Sequence, residues 1–109
     1  MPEPVEVLQG TLDLLILKAL VLGPLHGWGI SKRVRQLSND VFQVYQGSLY
    51  PALYRLEDKD WVESEWAESP EGRRVRVYRL TPKGKRAFIA ERAGWRVFSA
   101  TLDQVLAAE

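Results

Sequence analysis

No cysteine occurs among the 109 residues, and His26 is the only histidine. Without cysteine there is no disulfide, no thiolate metal site and no thiol nucleophile. One histidine is too few for the usual zinc sites, and none is left to pair with a serine once His26 has another task. Neither a metal nor a cofactor is therefore expected, and most hydrolase and metalloenzyme chemistry is set aside. Long hydrophobic runs are also missing. The most apolar stretch, Leu12 to Leu22, is interrupted by Asp13 and Lys18 and is shorter than the ~20 residues that cross a bilayer. Met1-Pro2-Glu3-Pro4 has neither the basic start nor the small-residue cleavage site of a secretory leader. A cytoplasmic protein without membrane association is the expectation.

What is present suits one domain. Hydrophobic residues make up 46% and charged residues 27%, and a chain of this length buries roughly 65% of its unfolded surface. The net charge of +1 hides an asymmetry. Residues 1–66 carry −3 and residues 67–109 carry +4. All the basic residues of the second part lie between Arg73 and Arg96, where Glu91 is the only acid. Such a bias points to a polyanion or an acidic partner, and a solvated basic face explains it equally well.

The stretch Leu12–Leu22 reads as a helix apolar nearly all round, with Thr11 as N-cap and Gly23-Pro24 as its stop. A helix without a wet face needs burial on two sides, one inside the domain and the other, with Leu15, against a second subunit. A second helix is predicted from Gly27 to Ser38, with Ile30, Val34 and Leu37 inward and Lys32, Arg33 and Gln36 outward. His26 before it reads as a capping or loop residue. The third helix starts near Gln46, with Leu49, Leu53 and Leu56 as its inward stripe. Pro51 is read as a first-turn proline that fixes this start, since proline lacks the amide an inner turn needs.

Trp61–Trp66 and Val75–Leu80 read as two strands around a turn over residues 67–74. Thr81-Pro82 reads as an N-cap and first helical residue, opening a helix to about Ala107 that would be ~40 Å long. Phe88, Trp95 and Leu102 recur every seven residues, with Phe98 and Val105 between them, a seam for a partner helix.

Three helices, a hairpin and a long closing helix is the element order of a winged helix-turn-helix, mainly α with a small β-hairpin. Residues 1–81 would be the DNA-binding part and residues 82–109 the dimerisation helix of one structural unit. In that architecture the third helix enters the major groove. Gln46, Ser48, Tyr50 and Tyr54 offer polar groups to bases or phosphates, Gly47 permits close approach, and Arg55 can reach phosphate. Lys32 and Arg33 on the second helix, and Arg73, Arg74 and Arg76 on the wing, complete the candidate double-stranded DNA face.

At these residues the sequence resembles the PadR-like transcriptional regulators. The resemblance rests on Val7-Leu8-Gln9-Gly10-Thr11-Leu12-Asp13, Leu25-His26-Gly27-Trp28-Gly29-Ile30, Gln46-Gly47-Ser48-Leu49-Tyr50-Pro51-Ala52-Leu53 and Tyr78-Arg79-Leu80-Thr81. It implies a homodimeric repressor of the short branch, whose single C-terminal helix is the dimer arm, acting on a pseudo-palindromic operator. It also implies a site at the dimer interface for a small planar aromatic effector, where Trp95 and Phe98 would stand; simple packing of the seam is the other reading. Trp28 stands where the family usually has Tyr, which reads as a packing change. Tyr54 stands where His is common, which alters a groove-facing side chain. Two other classes stay open: a winged helix docking on an acidic protein, and an enzyme, for which Ser48 has no base near it in sequence.

Overall fold

The computed structural model describes the backbone of residues 5–6 and 9–109, with burial from residue 11 onward. The readings placed on Met1–Pro4 and on Val7-Leu8 lie outside the described residues. In chain order the elements are β1 (Val5–Glu6), α1 (Gln9–Val21), β2 (Leu25–His26), α2 (Gly27–Leu37), β3 (Phe42–Gln43), α3 (Gln46–Asp58), β4 (Val62–Glu68), β5 (Arg74–Leu80) and α4 (Pro82–Ala107).

Helix α1 is the centre of the molecule. Leu12, Ile16, Leu17 and Leu20 are buried against Ile30 and Val34 of α2, Leu49, Leu53 and Leu56 of α3, and Phe88 of α4. Its all-round apolarity thus serves contacts with three helices and the sheet, while Val21 and Leu22 at its end remain exposed. Thr11 lies inside this helix and is not its N-cap, because the helix already begins at Gln9. Gly23, at φ 139°, turns the chain out of α1, a conformation closed to most side chains.

The sheet has the order β2-β5-β4. Strands β4 and β5 pair antiparallel in the register Val62↔Leu80, Ser64↔Tyr78 and Trp66↔Arg76, and β2 adds Leu25↔Tyr78 on the other side of β5. Two-residue β1 and β3 form a separate parallel pair. Helix α4 starts where the sequence signals place it. The Thr81 hydroxyl accepts from the Gly84 amide at 2.9 Å and donates to the Asp60 carbonyl at 2.6 Å. Gly84 is buried on the Trp61 backbone, where a side-chain carbon would collide with the Trp61 carbonyl.

Phe88 corrects the sequence reading. It is 9% exposed and belongs to the chain's own core, so it is not free for a partner seam. The heptad spacing is the same whether a helix faces its own domain or another. The first turns of α4 lie on α1 and β5, and the helix then continues past the core with almost every later residue exposed. Helices α1 to α3, the β4–β5 hairpin and α4 together make a winged helix-turn-helix with a long C-terminal helix.

Candidate nucleic-acid interface

Helix α3 begins at Gln46 with no side-chain cap from Tyr45. The amides of Ser48 and Leu49 both turn to the Tyr45 carbonyl, at 3.0 and 2.9 Å. Gln46 and Gly47 are exposed and Ser48 is half-buried, so the open amides of this end reach the surface. Pro51 is the sixth residue of α3, in the second turn and not the first as the sequence reading has it. It leaves the Gly47 carbonyl without its i+4 amide. Gly47 is exposed, so a carbonyl left without that partner can accept from water.

Tyr50 and Tyr54, one turn apart, point to the same side of α3. They line a cleft of about 560 Å³ with Trp28 of α2, Trp66, Arg74 and Arg76 of the hairpin, and Tyr78 at its base. None of the residues lining this cleft is acidic. Its wall at α2 is set by Gly27, since a side-chain carbon there would come within 2.5 Å of the Tyr50 hydroxyl. His26 Nδ1 accepts from the Gly29 amide at 3.0 Å and so caps α2, as its position before the helix suggests. Trp28 is 61% exposed, lies against the His26 ring and carries the Lys32 ammonium 5.0 Å from its centroid. It is a surface residue of this face and not a change in packing. Burial pushes the Tyr78 hydroxyl above its ordinary value, opposed by the charge of Arg76. It therefore stays neutral at the floor of the cleft.

Alternation along the hairpin sorts its charges onto two faces. On one face, Val62, Ser64 and Trp66 stand beside Leu80, Tyr78 and Arg76, running outward from core to cation. The Arg74 and Arg76 guanidinium carbons lie 4.7 and 5.9 Å from the Trp66 ring centre. On the other face Arg79 bonds Glu63 and Glu65 at 2.9 Å each. These carboxylates, Glu63 first, raise the Arg79 pKa further. Arg73 sits exposed in the turn, which is closed by Ser69 accepting and donating across it.

Two of the arginines expected on this face are turned inward. Arg33 donates to the Ala19 carbonyl at 3.3 Å, joining α2 to α1. Arg55 bonds Asp13 at 3.0 Å and ties α3 to α1. Both partners are distant in sequence, which is why spacing alone leaves these arginines looking free. Conversely, Trp28 and Trp66 line the cleft without having been singled out as contacts. For Trp66 the signal was there, in its alternation with Val62 and Ser64. Beside the start of α3, a hollow of about 470 Å³ is lined by Ser31, Lys32, Arg35 and Gln46, among others. Among the described residues no cluster of His, Asp and Glu could hold a metal ion, and no helix is long and apolar enough to cross a membrane.

Midway along α4, past the core, Trp95 stacks on Phe98 at 5.5 Å between ring centres. Leu102, Val105 and Leu106 beyond it are exposed. Leu15 of α1 is half-buried and lines an apolar hollow with Val34, Leu37 and Phe42.

Comparison with known proteins agrees with this geometry. Residues 16–90 match the transcriptional regulator PadR-like family. A Lysinibacillus sphaericus protein known as uncharacterized protein X is 30% identical over 86 residues, 79% of this chain and 78% of that protein. The structure is similar to that of a transcriptional regulator from Clostridium thermocellum, with a TM-score of 0.80 and 27% identity over 88% of this chain and 93% of that one. It is also similar to a PadR family transcription regulator from Clostridium difficile, with a TM-score of 0.76 and 31% identity over 90% of this chain and 100% of that one.

Proposed function

The chain belongs to the PadR-like family of transcriptional regulators, and from that premise we propose that it acts as a homodimeric repressor on a pseudo-palindromic operator. The observation that carries the reading is the cleft between α3 and the hairpin, which combines four exposed aromatic side chains with Arg74 and Arg76 and contains no acid. A duplex offers what such a surface can use: phosphates for the cations, and base edges and thymine methyl groups for the tyrosines. Gln46, Gly47, Ser48, Tyr50 and Tyr54 would face the major groove, while Lys32, Arg73 and Arg74 would meet the backbone or the neighbouring groove.

In this reading the chain dimerises through α4. Trp95, Phe98, Leu102 and Val105, with Leu15 of α1, form the interface in this reading. Two copies then present two α3 helices to half-sites about one turn apart, ~34–36 Å. The exposed Trp95–Phe98 pair is the place for a small planar aromatic effector at that interface; retained effector binding by Trp95→Ala would remove this assignment.

The test is selection of bound duplexes from a random library by the full chain, followed by salt titration and a promoter reporter carrying the selected site. Tight, salt-dependent binding to a symmetric sequence and reduced reporter output are expected. If no duplex is bound in a salt-dependent manner, the reading fails. Capture of an acidic protein by the same face, with no gain from any DNA sequence, would favour a protein-docking winged helix instead.

A further inference from the structure

The three arginines nearest the tip of the hairpin, Arg73, Arg74 and Arg76, look alike in sequence and differ in what holds them. Arg73 lies in the turn with its side chain exposed and bonded to no described residue. Arg76 is a brace: its Nε donates to Ser64 Oγ at 2.7 Å and its Nη2 lies 3.5 Å from Glu57 Oε2, so its charge is shared with α3. Arg74 has neither arrangement. Its guanidinium lies over the Trp66 ring at 4.7 Å and makes no ion pair with any described residue. Glu68 faces it across the strands, but the Glu68 carboxylate lies beside the turn, where a side-chain carbon on Gly72 would meet Oε1 at 3.7 Å.

Trp66 is 55% exposed and fills no core, so its place on the hairpin needs another reason. Stacking on an indole removes water from one face of a guanidinium and restricts a side chain that otherwise has many rotamers. The donor edge stays free. A phosphate contact gains little from this, because a mobile cation on a flexible stem reaches phosphate equally well. A narrow groove is different. Entering it strips water from both faces of the cation, and the enhanced negative potential of A·T-rich minor grooves rewards a planar, weakly hydrated, preordered group.

We propose that Trp66 is a positioning residue that holds Arg74 ready for the narrow minor groove of A·T-rich duplex beside the site under α3. The inference rests on the DNA-binding reading above and adds to it a preference for the flanking sequence. Arg73, by contrast, contacts phosphate without regard to sequence.

The experiment uses the full chain and one selected core duplex carrying three kinds of flank: A·T tracts, G·C pairs, and inosine·C pairs. Inosine lacks the guanine amino group in the minor groove while keeping the guanine pattern in the major groove. Wild type is expected to bind the A·T and inosine·C flanks about tenfold more tightly than G·C. Arg74→Ala, Arg74→Lys and Trp66→Ala lose that ratio, Trp66→Phe restores most of it, and Arg73→Ala weakens all three duplexes alike. Thermal midpoints show whether Trp66→Ala still folds, and Arg74→Lys provides the same test without touching the ring. Equal binding to all flanks by wild type overturns this inference while leaving DNA binding intact. A flank ratio that survives Trp66→Ala removes Trp66 from the role, and one that survives Arg74→Lys assigns Arg74 to phosphate. Absence of binding to every duplex is a failure of the earlier reading, recognisable because no variant or flank then matters.

Discussion

Two regions of this molecule expose aromatic side chains, and they differ in what accompanies the rings. Around α3 and the hairpin, the exposed aromatics include Trp28, Tyr45, Tyr50, Tyr54 and Trp66, residues with a hydroxyl or an indole N–H. Lys32, Arg74 and Arg76 are laid over the indoles. On the outer part of α4 the exposed apolar groups include Trp95, Val97, Phe98, Leu102, Val105 and Leu106, almost all hydrocarbon, with the two rings stacked on each other. An amphipathic ring paired with a cation tolerates water and suits a hydrated polyanion. A run of hydrocarbon does not, and a patch of this kind calls for another apolar surface. The two regions therefore suit different partners, which in the proposed reading are a nucleic acid and a second copy of the chain.

The largest effect should come from breaking the α4 region. Leu102→Asp places a charge in the middle of the apolar stretch, and light scattering should then report a monomer at micromolar concentration. Operator affinity should fall by about a hundredfold or more, because the second half-site is no longer an intramolecular event. Affinity for a single half-site should be unchanged. A dimer that persists in this variant would show that the region has another use.

The matching change in the α3 region should be smaller and of another kind. Lys32→Ala with Arg73→Ala should weaken binding to every sequence. It should lower the slope of log affinity against log salt by roughly 0.9 for each lost phosphate contact. Anisotropy titrations at several salt concentrations measure it. An unchanged slope would mean that these cations face solvent only, and the distinction between the two regions would lose its electrostatic half.

How far the sequence announces these regions depends on the distance over which each feature is decided. The start of α4 is legible at Thr81-Pro82, because a cap and a first-turn proline act within a turn; α3 does start at Gln46, but with no side-chain cap to mark it. The hairpin is legible from its β-rich runs and from the turn around Gly72. Strands β2 and β3 are not, since two residues carry no period and are ordered only by partners far along the chain, as Leu25 is by Tyr78. Pro51 misleads in a different way. Its missing amide is accommodated in the second turn by an exposed Gly47 carbonyl, a solution that only the three-dimensional setting reveals. Of the candidate face, Lys32, Gln46, Tyr50, Tyr54, Arg74 and Arg76 come to the surface around the two hollows. Arg33 and Arg55 do not, since their fate is decided by the Ala19 carbonyl and by Asp13.

Arg55 offers a check on that last point. If its work is to tie α3 to α1 through Asp13, Arg55→Ala should cost about 0.5–1 kcal/mol in denaturant unfolding, the range for a partly exposed ion pair. The operator chosen in a duplex selection should stay the same. Asp13→Asn should cost a similar amount, and the double variant no more than either alone. A changed operator preference would return Arg55 to the DNA face.

The smallest expected effect concerns Tyr78, the one cleft aromatic that burial has withdrawn from water. Its folded pKa is raised, first by burial, with the charge of Arg76 acting against it. In the unfolded chain a tyrosine ionises near pH 10. Below that pH both states hold the proton, and the contribution of Tyr78 to stability is fully present. Above it the unfolded chain releases the proton first, so stability is lost as pH rises towards the folded value. Phenylalanine has no proton to release. Tyr78→Phe should therefore lose less stability than wild type between about pH 8 and pH 10.5, whatever the offset between them at neutral pH. Thermal midpoints of the two proteins across that range measure the difference. Parallel curves would mean that the Tyr78 hydroxyl is as well hydrated in the folded protein as in the unfolded chain. The floor of the cleft would then be wet, and the polar character of the α3 region would extend down to the edge of the core.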